Sequence, residues 1–172
     1  AIKFNHDYEV DFFPITEPVI GGPAARVMSL RDGTKKMSKS DPSDLSRINM
    51  TDDPDTIANK IRKAKTDQYG LPSEPKGLEG RAEAQNLVSI YAALGDDSVE
   101  NALSEIGGKQ FSEFKPMLVE RATEVLAPIS HEMGRIMQDI PQLDKVLDNG
   151  AHKAKSVAEP ILQKTFDIIG MK

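Results

Sequence analysis

Hydrophobic positions change their spacing once along this chain, near residue 50. Before that point they come in short runs: Phe12-Phe13, Val19-Ile20, and Val27-Met28 with Leu30. These runs have strand-like length and flanks. Pro14, Pro18, Gly21-Gly22 and Pro23 break any helix between them. Asp32-Gly33 reads as a turn. The opening residues Ala1 to Asn5 read as the end of an amphipathic element, so something is expected to precede them in the parent protein.

After residue 50 the apolar positions recur at helical spacing. Asp53 is an N-cap type, Pro54 suits a first helical position, and Ile57, Ile61 and Ala64 form one stripe. A Pro/Gly-rich connector, Tyr69 to Gly77, follows. Ala84, Leu87, Val88, Tyr91 and Leu94 predict the clearest helix, stopped by Gly95. Asp97 and Glu100 predict a capping box for a short helix ending at Gly107-Gly108. A long stripe runs from Phe114 through Leu118, Ala122, Leu126 and Ile129 to Met137, with a kink expected at Pro128. Leu143, Val146 and Leu147 predict a short helix ending at Asn149-Gly150. A last helix carries Val157, Ile161 and Ile168, kinked at Pro160 and stopped by Gly170. The fold class is therefore mainly α: a strand-and-loop piece, then a helix bundle, with the division near residue 50.

Composition adds bounds. The 172 residues suit one domain or a domain and part of another, and 38% hydrophobic with 28% charged residues is ordinary for a folded chain. A net charge of −5 announces no general nucleic-acid binder, so only locally grouped cations could hold RNA. The absence of cysteine removes disulfides, thiolate catalysis and cysteine-ligated zinc. No apolar run reaches the length of a membrane span, and the cytoplasm is the expected location.

The chemistry concentrates in Lys36-Met37-Ser38-Lys39-Ser40. Two ammonium groups three residues apart flank a small hydroxyl residue, in a polar run from Thr34 to Ser43. Such a loop can curl around a polyphosphate, with lysines as movable point charges and serine and backbone donors adding short hydrogen bonds. It is not a P-loop, because Ser38 stands where the second glycine of that pattern belongs. For a generic Lys/Ser run, a solvated basic loop would be the plain alternative.

Here the five-residue string is the signature loop of class I aminoacyl-tRNA synthetases, and its surroundings resemble the bacterial tryptophanyl-tRNA synthetases. The similar segments are Gly22 to Leu30 before the loop, Asp41-Pro42 after it, Thr51-Asp52-Asp53 to Ile57, Lys60-Ile61, and Ala64 to Asp67. Asn86-Leu87-Val88 with Tyr91, Phe114-Lys115, Ala127-Pro128-Ile129, and Gly150-Ala151 extend the likeness over the whole chain. The resemblance implies the C-terminal half of such an enzyme. Residues 1–50 would be the last strand and loop of a Rossmann-like nucleotide-binding domain, and 51–172 a helical domain binding the tRNA anticodon.

It also implies ATP-dependent activation of tryptophan to an adenylate and transfer to tRNA. By matching positions, Lys36 and Lys39 would bind the phosphates and stabilise the leaving pyrophosphate. Ser38 and Ser40 would shape the loop, and Val27 and Met37 would contact the adenosine. Magnesium would ride on the phosphates, and the enzyme would be a homodimer. The family's histidine signature is absent, since His6, His131 and His152 stand far apart. That signature and the tryptophan pocket belong to the other half, so this chain alone is expected to be inactive.

On the helix after Asp53, Thr56, Asn59, Lys60 and Lys63, with Arg62 and Lys65 on another shoulder, form an expected basic ridge for tRNA phosphates or else a solvated face. Arg81, Tyr69 and Phe111 are possible base contacts, whereas Leu87, Tyr91 and Leu94 read as core. Two alternatives stand beside the ligase half: a non-catalytic RNA-binding helical module, and the sister tyrosyl enzyme, which shares the loop.

Overall fold

Asp53 starts the helical part: its carboxylate accepts the Thr56 amide at 2.7 Å, and Pro54 takes the first helical position, where its missing N–H costs nothing. The computed structural model describes residues 1–171. Its helices are α1 (Ile2–Asp7), α2 (Pro54–Arg62), α3 (Ala82–Leu94), α4 (Val99–Ile106), α5 (Phe111–Met137) and α6 (Ile140–Ile169). Short 3-10 turns lie at Asp44–Ser46 and Pro75–Leu78. No described helix is long and apolar enough to cross a membrane.

The chain groups into two units: Ile20–Arg135, and Ala1–Val19 with the segment from Ile136. The core of the first is built from the predicted stripes. Ile57 and Ile61 of α2, Leu87, Val88 and Tyr91 of α3, Leu103 and Ile106 of α4, and Phe114 and Leu118 of α5 are all buried. The Tyr91 and Phe114 rings meet edge to face at 5.4 Å, and the Arg121 guanidinium lies 3.6 Å from the centre of the Tyr91 ring. The Tyr91 hydroxyl donates to Glu105 at 2.8 Å. Burial and that carboxylate together push its ionisation up to about 12.

No strand forms among the described residues. The expected strand around Val27-Met28 is reduced to one antiparallel bridge between Met28 and Lys36. The reason lies in its hydrogen bonds. On one edge, Ser29 N–H donates to Lys35 at 2.8 Å and Met37 N–H donates to the Val27 carbonyl at 3.1 Å. On the other, a side chain replaces a neighbouring strand. Asn86 accepts the Met28 amide at 2.9 Å and donates to the Met28 carbonyl at 2.9 Å. Two residues on, Leu30 donates to the Ser46 carbonyl and accepts from Lys65 N–H, at 2.9 and 2.8 Å. The amides of Met28, Ser29 and Leu30 and the carbonyls of Val27, Met28 and Leu30 are thus already paired.

The turn at Asp32-Gly33 forms as expected. Asp32 accepts the Thr34 hydroxyl at 2.6 Å and its amide at 3.1 Å and pairs with Lys35 at 3.2 Å, which together hold its carboxyl down at about 2. Gly33 is required for packing: a Cβ there would stand 2.5 Å from the Ala82 backbone at the start of α3.

Two local expectations fail. The cap of α4 is Ser98, which accepts the Asn101 amide at 3.1 Å, not Asp97, which bonds the Asn101 side chain instead. The break at Asn149-Gly150 does not occur, because α6 runs unbroken from Ile140 through Gly150 and Pro160. A glycine inside a helix costs only about 1 kcal/mol, too little to end so long a periodic stretch. Helix α5 is one element that contains both Pro116 and Pro128.

In the second unit, Phe4, Tyr8, Phe12 and Phe13 cluster beside α1. Asn5 closes that loop, accepting the Phe13 amide at 3.0 Å and donating to its carbonyl at 2.9 Å. Helix α6 buries no residue, and Val146, Leu147, Val157 and Leu162 are more than half exposed.

Because Asn86 does the work of a strand edge, Asn86→Ala should destabilise the chain by about 2 kcal/mol, leaving the Met28 backbone groups unpaired. Urea unfolding measures this, and a loss no larger than that of an exposed Ala substitution on α3 would refute the role.

Candidate functional site

The Lys-Ser loop hangs from the hairpin just described. Lys36 sits in its returning arm, opposite Met28. The chain then turns: Ser40 N–H donates to the Ser38 hydroxyl at 3.2 Å, and Asp41 N–H reaches the Ser38 carbonyl at 3.4 Å. Asp41 accepts the Ser43 amide at 2.8 Å, and the 3-10 turn Asp44–Ser46 leads to Arg47. Lys36, Ser38, Lys39 and Ser40 are exposed, and Val27 and Met37 are half-buried.

The loop's cations divide into two kinds. Lys35 is held by Asp32, Arg47 by Asp44, Lys60 by Asp44 and Asp52, and Lys65 by Glu83. Lys36 and Lys39 have no carboxylate partner among the described residues, and their charges are open to an arriving anion. Lys39, Ser38 and Met37 also line a cavity of about 350 Å³ with Arg47, Asn49 and Met133. Met37 also lines an apolar cavity of about 250 Å³ with Val27, Ile90 and Leu126. The structure therefore brings Val27, Met37, Ser38 and Lys39 around adjoining hollows, joined by the Met37 to Val27 hydrogen bond.

The base of the loop is a buried ionic cluster. Lys60 is 1% exposed, and its ammonium contacts Asp44 at 2.7 Å and Asp52 at 2.6 Å. Burial alone would push the Lys60 amine down, but the two carboxylates outweigh it and leave it above its ordinary value. The bond from Lys60, then that from Asn49, holds the Asp44 carboxyl below the usual range. Asn49 completes the cluster, donating its amide to Asp52 at 2.8 Å and its side chain to Asp44 and Asp52, each at 3.2 Å.

This corrects the basic ridge expected on α2. Lys60 is not on it, since it is buried together with Ile57, Ala58, Ile61 and Ala64. Lys65 is tied to Glu83 at 2.8 Å, while Asn59, Arg62 and Lys63 remain exposed. Two further cations cap the C-terminal end of α2: Lys115 donates to the Arg62 and Ala64 carbonyls at 2.9 and 2.7 Å, and Arg31 donates to the Lys63 carbonyl. Of the possible base contacts, Arg81 is locked onto Asp67 by bonds of 2.8 and 2.7 Å, Phe111 is buried, and Tyr69 is exposed. The residues that sequence reasoning missed are Asp44, Arg47, Asn49 and Asp52. Alternating acid, base and amide after Asp41-Pro42 was the available signal.

A family model described as "tRNA synthetases class I (W and Y)" matches residues 1–127. The tryptophan–tRNA ligase of Agrobacterium fabrum is 59% identical over 159 residues, 92% of this chain and 45% of that protein. That of Mesorhizobium japonicum is 63% identical over 160 residues, 93% and 45%. The chain thus spans about half the length of the curated relatives it matches. The tryptophanyl-tRNA synthetase structure from Mycoplasma pneumoniae superposes over all of this chain and 53% of its own, with a TM-score of 0.80 at 24% identity, a likeness of fold.

Removing the buried ammonium strands two carboxylates. Lys60→Met should cost about 3 kcal/mol at neutral pH, whereas Asp44→Asn, at an exposed rim, should cost much less. The depressed Asp44 carboxyl contributes stability above the ordinary carboxylate range and loses it as pH falls through its lower folded value. The deficit of Lys60→Met should therefore shrink in acid. Urea melts from pH 7 to pH 3 would show this, and a pH-independent deficit would contradict the pairing.

Proposed function

The chain belongs to the class I tRNA synthetases of the W and Y family, and from that premise we propose that it is the C-terminal half of a tryptophan–tRNA ligase, supplying the ATP-phosphate loop and the tRNA-binding helices. The observation that carries the reading is the pair of unpaired cations, Lys36 and Lys39, on a loop whose other charges are all spoken for. The tryptophan ligases named above favour tryptophan over tyrosine as the amino acid.

In the reaction, the tryptophan carboxylate attacks the α-phosphorus of ATP, an adenylate forms, and pyrophosphate leaves. Negative charge builds on the leaving phosphates. Lys36 and Lys39 meet it with positive charge, an electrostatic contribution that needs no proton transfer in the loop. The Ser38 hydroxyl holds the Ser40 amide and keeps the turn tight, and Ser40 donates toward the phosphates. Val27 and Met37 offer an apolar wall to the adenosine. We assign magnesium to the phosphates of ATP. The nearby carboxylates are already engaged, Asp44 and Asp52 by Lys60 and Asn49, and Asp41 by the Ser43 amide.

Residues 1–50 are assigned to the closing part of a Rossmann-like catalytic domain and 51–172 to the helical anticodon-binding domain. Arg62 and Lys63 are the exposed α2 cations left to touch tRNA phosphates. The tryptophan pocket lies in the remaining half, and the working enzyme is a cytoplasmic homodimer.

In the full-length enzyme, Lys39→Ala should slow ATP–pyrophosphate exchange by about 2–4 kcal/mol of transition-state stabilisation, a rate loss of roughly 30-fold to a thousandfold, with little change in the KM for tryptophan. An unchanged exchange rate would remove the reading's main support.

A further inference from the structure

The guanidinium of Arg47 holds the point where the loop rejoins the rigid part of the molecule. Its Nη1 donates to the Asp41 carbonyl at 2.9 Å and to the Ser43 carbonyl at 3.3 Å. Its Nε donates to the Asn49 side chain at 3.2 Å, and its Nη2 pairs with Asp44 at 3.1 Å. Asp44 in turn contacts the buried ammonium of Lys60 in α2 at 2.7 Å. One edge of the fork thus grips the backbone leaving Lys39-Ser40, and the other is fixed through Asp44 and Lys60 to a helix of the core. The Arg47 side chain is only 17% exposed, and it lines the same cavity as Ser38 and Lys39.

We infer that Arg47 is a positioning residue for adenylate formation: it pins the C-terminal end of the Lys36–Ser40 loop, so that Lys39 moves about a fixed pivot and returns to one place over the phosphates. The inference rests on the reading that Lys36 and Lys39 act on ATP. Arginine suits this task because its planar fork serves several acceptors at once. A lysine could keep the charge on Asp44 but not the Asp41, Ser43 and Asn49 bonds together. A displacement of about 1 Å in a group that stabilises a transition state can cost on the order of a hundredfold in rate, so a loosened pivot should be visible in kcat.

The test uses the full-length enzyme as wild type, Arg47→Met, Arg47→Lys, Asp44→Asn and Lys39→Ala. ATP–pyrophosphate exchange is measured per active site, counted from the burst of adenylate formation, so that misfolded protein does not register. Tryptic cleavage after Lys36 and Lys39 is timed on the same samples, with the melting temperature of each. Arg47→Met should lower kcat between about tenfold and a hundredfold with the KM for tryptophan unchanged, and should speed cleavage after Lys36 and Lys39 several-fold. Arg47→Lys should fall between it and wild type. Asp44→Asn should move both readouts the same way by less, and stands in if Arg47→Met does not fold.

Exchange within about twofold of wild type per active site in the folded variants overturns the inference. So does a loss of exchange with no change in loop cleavage, because Arg47 would then act on something other than the loop. Lys39→Ala separates the two levels: if it leaves exchange intact, the phosphate reading itself fails, and the cleavage rates still report whether Arg47 holds the loop.

Discussion

Burying the Lys60 ammonium at 1% exposure carries a desolvation penalty of several kcal/mol, and the fold around the loop depends on how that penalty is met. Asp52 and Asp44 approach it to 2.6 and 2.7 Å, and Asn49 bonds both acids. Neither carboxylate is free to drift, because each has donors on more than one side. The consequence is geometric. Asp44 and Asn49 belong to the chain just after the loop, Asp52 lies one residue before the cap of α2, and Lys60 lies within α2. A single charge therefore gathers four points of backbone that would otherwise be an irregular connector. Replacing the cluster by apolar residues could match its stability but would not specify which loop conformation is held.

The same region keeps two charges uncommitted. Lys35, Arg47, Lys60 and Lys65 each meet a carboxylate within 3.2 Å. Lys36 and Lys39 do not, although each stands within a few residues of an acid. Asp41 is the nearest in sequence to Lys39, and its oxygen is taken by the Ser43 amide at 2.8 Å. Local turn chemistry thus turns Asp41 to the backbone of Ser43, and it forms no ion pair with the lysine. A loop with a fixed base, a tight turn and two ammonium groups that no carboxylate among the described residues pairs with is suited to closing on a polyphosphate and opening again.

The helical half of the fold was legible because its signals are redundant. For α2, the cap, the first-turn proline and the stripe agree; for α3, the stripe and the stop at Gly95 do. Ends marked by one residue alone were less legible. Gly150 reads as a stop but carries too small a penalty to interrupt α6, and Ser98 displaces Asp97 as a cap by a single position. The strand around Val27 was misread for a different reason. Its second edge is satisfied by Asn86, 58 residues away from Met28, and no periodicity announces a side chain serving as a strand. At the site, the loop residues were legible from their chemistry, but their anchors were not. Lys60 was read as exposed because it is charged, although its position at i+3 from Ile57 puts it in the buried stripe.

The charge balance of the chain constrains how that loop can act. These 172 residues carry −5, so their net charge gives no long-range attraction for a polyphosphate. At physiological ionic strength, interactions between exposed charges fade beyond about 8 Å, so the net charge weighs little once a ligand is near. On the proposed reading, what remains is the short-range attraction of Lys39, which lines a cavity of about 350 Å³, and of the exposed Lys36 three residues before it. If the loop acts on ATP as proposed, such an arrangement contributes little to encounter and most when the phosphates are already bound and their charge is growing. It follows that the position of the two ammonium groups matters more than their number. A third lysine placed on the loop would deepen the local potential, but without the fixed base beneath it that charge would not be held where the leaving phosphates develop theirs.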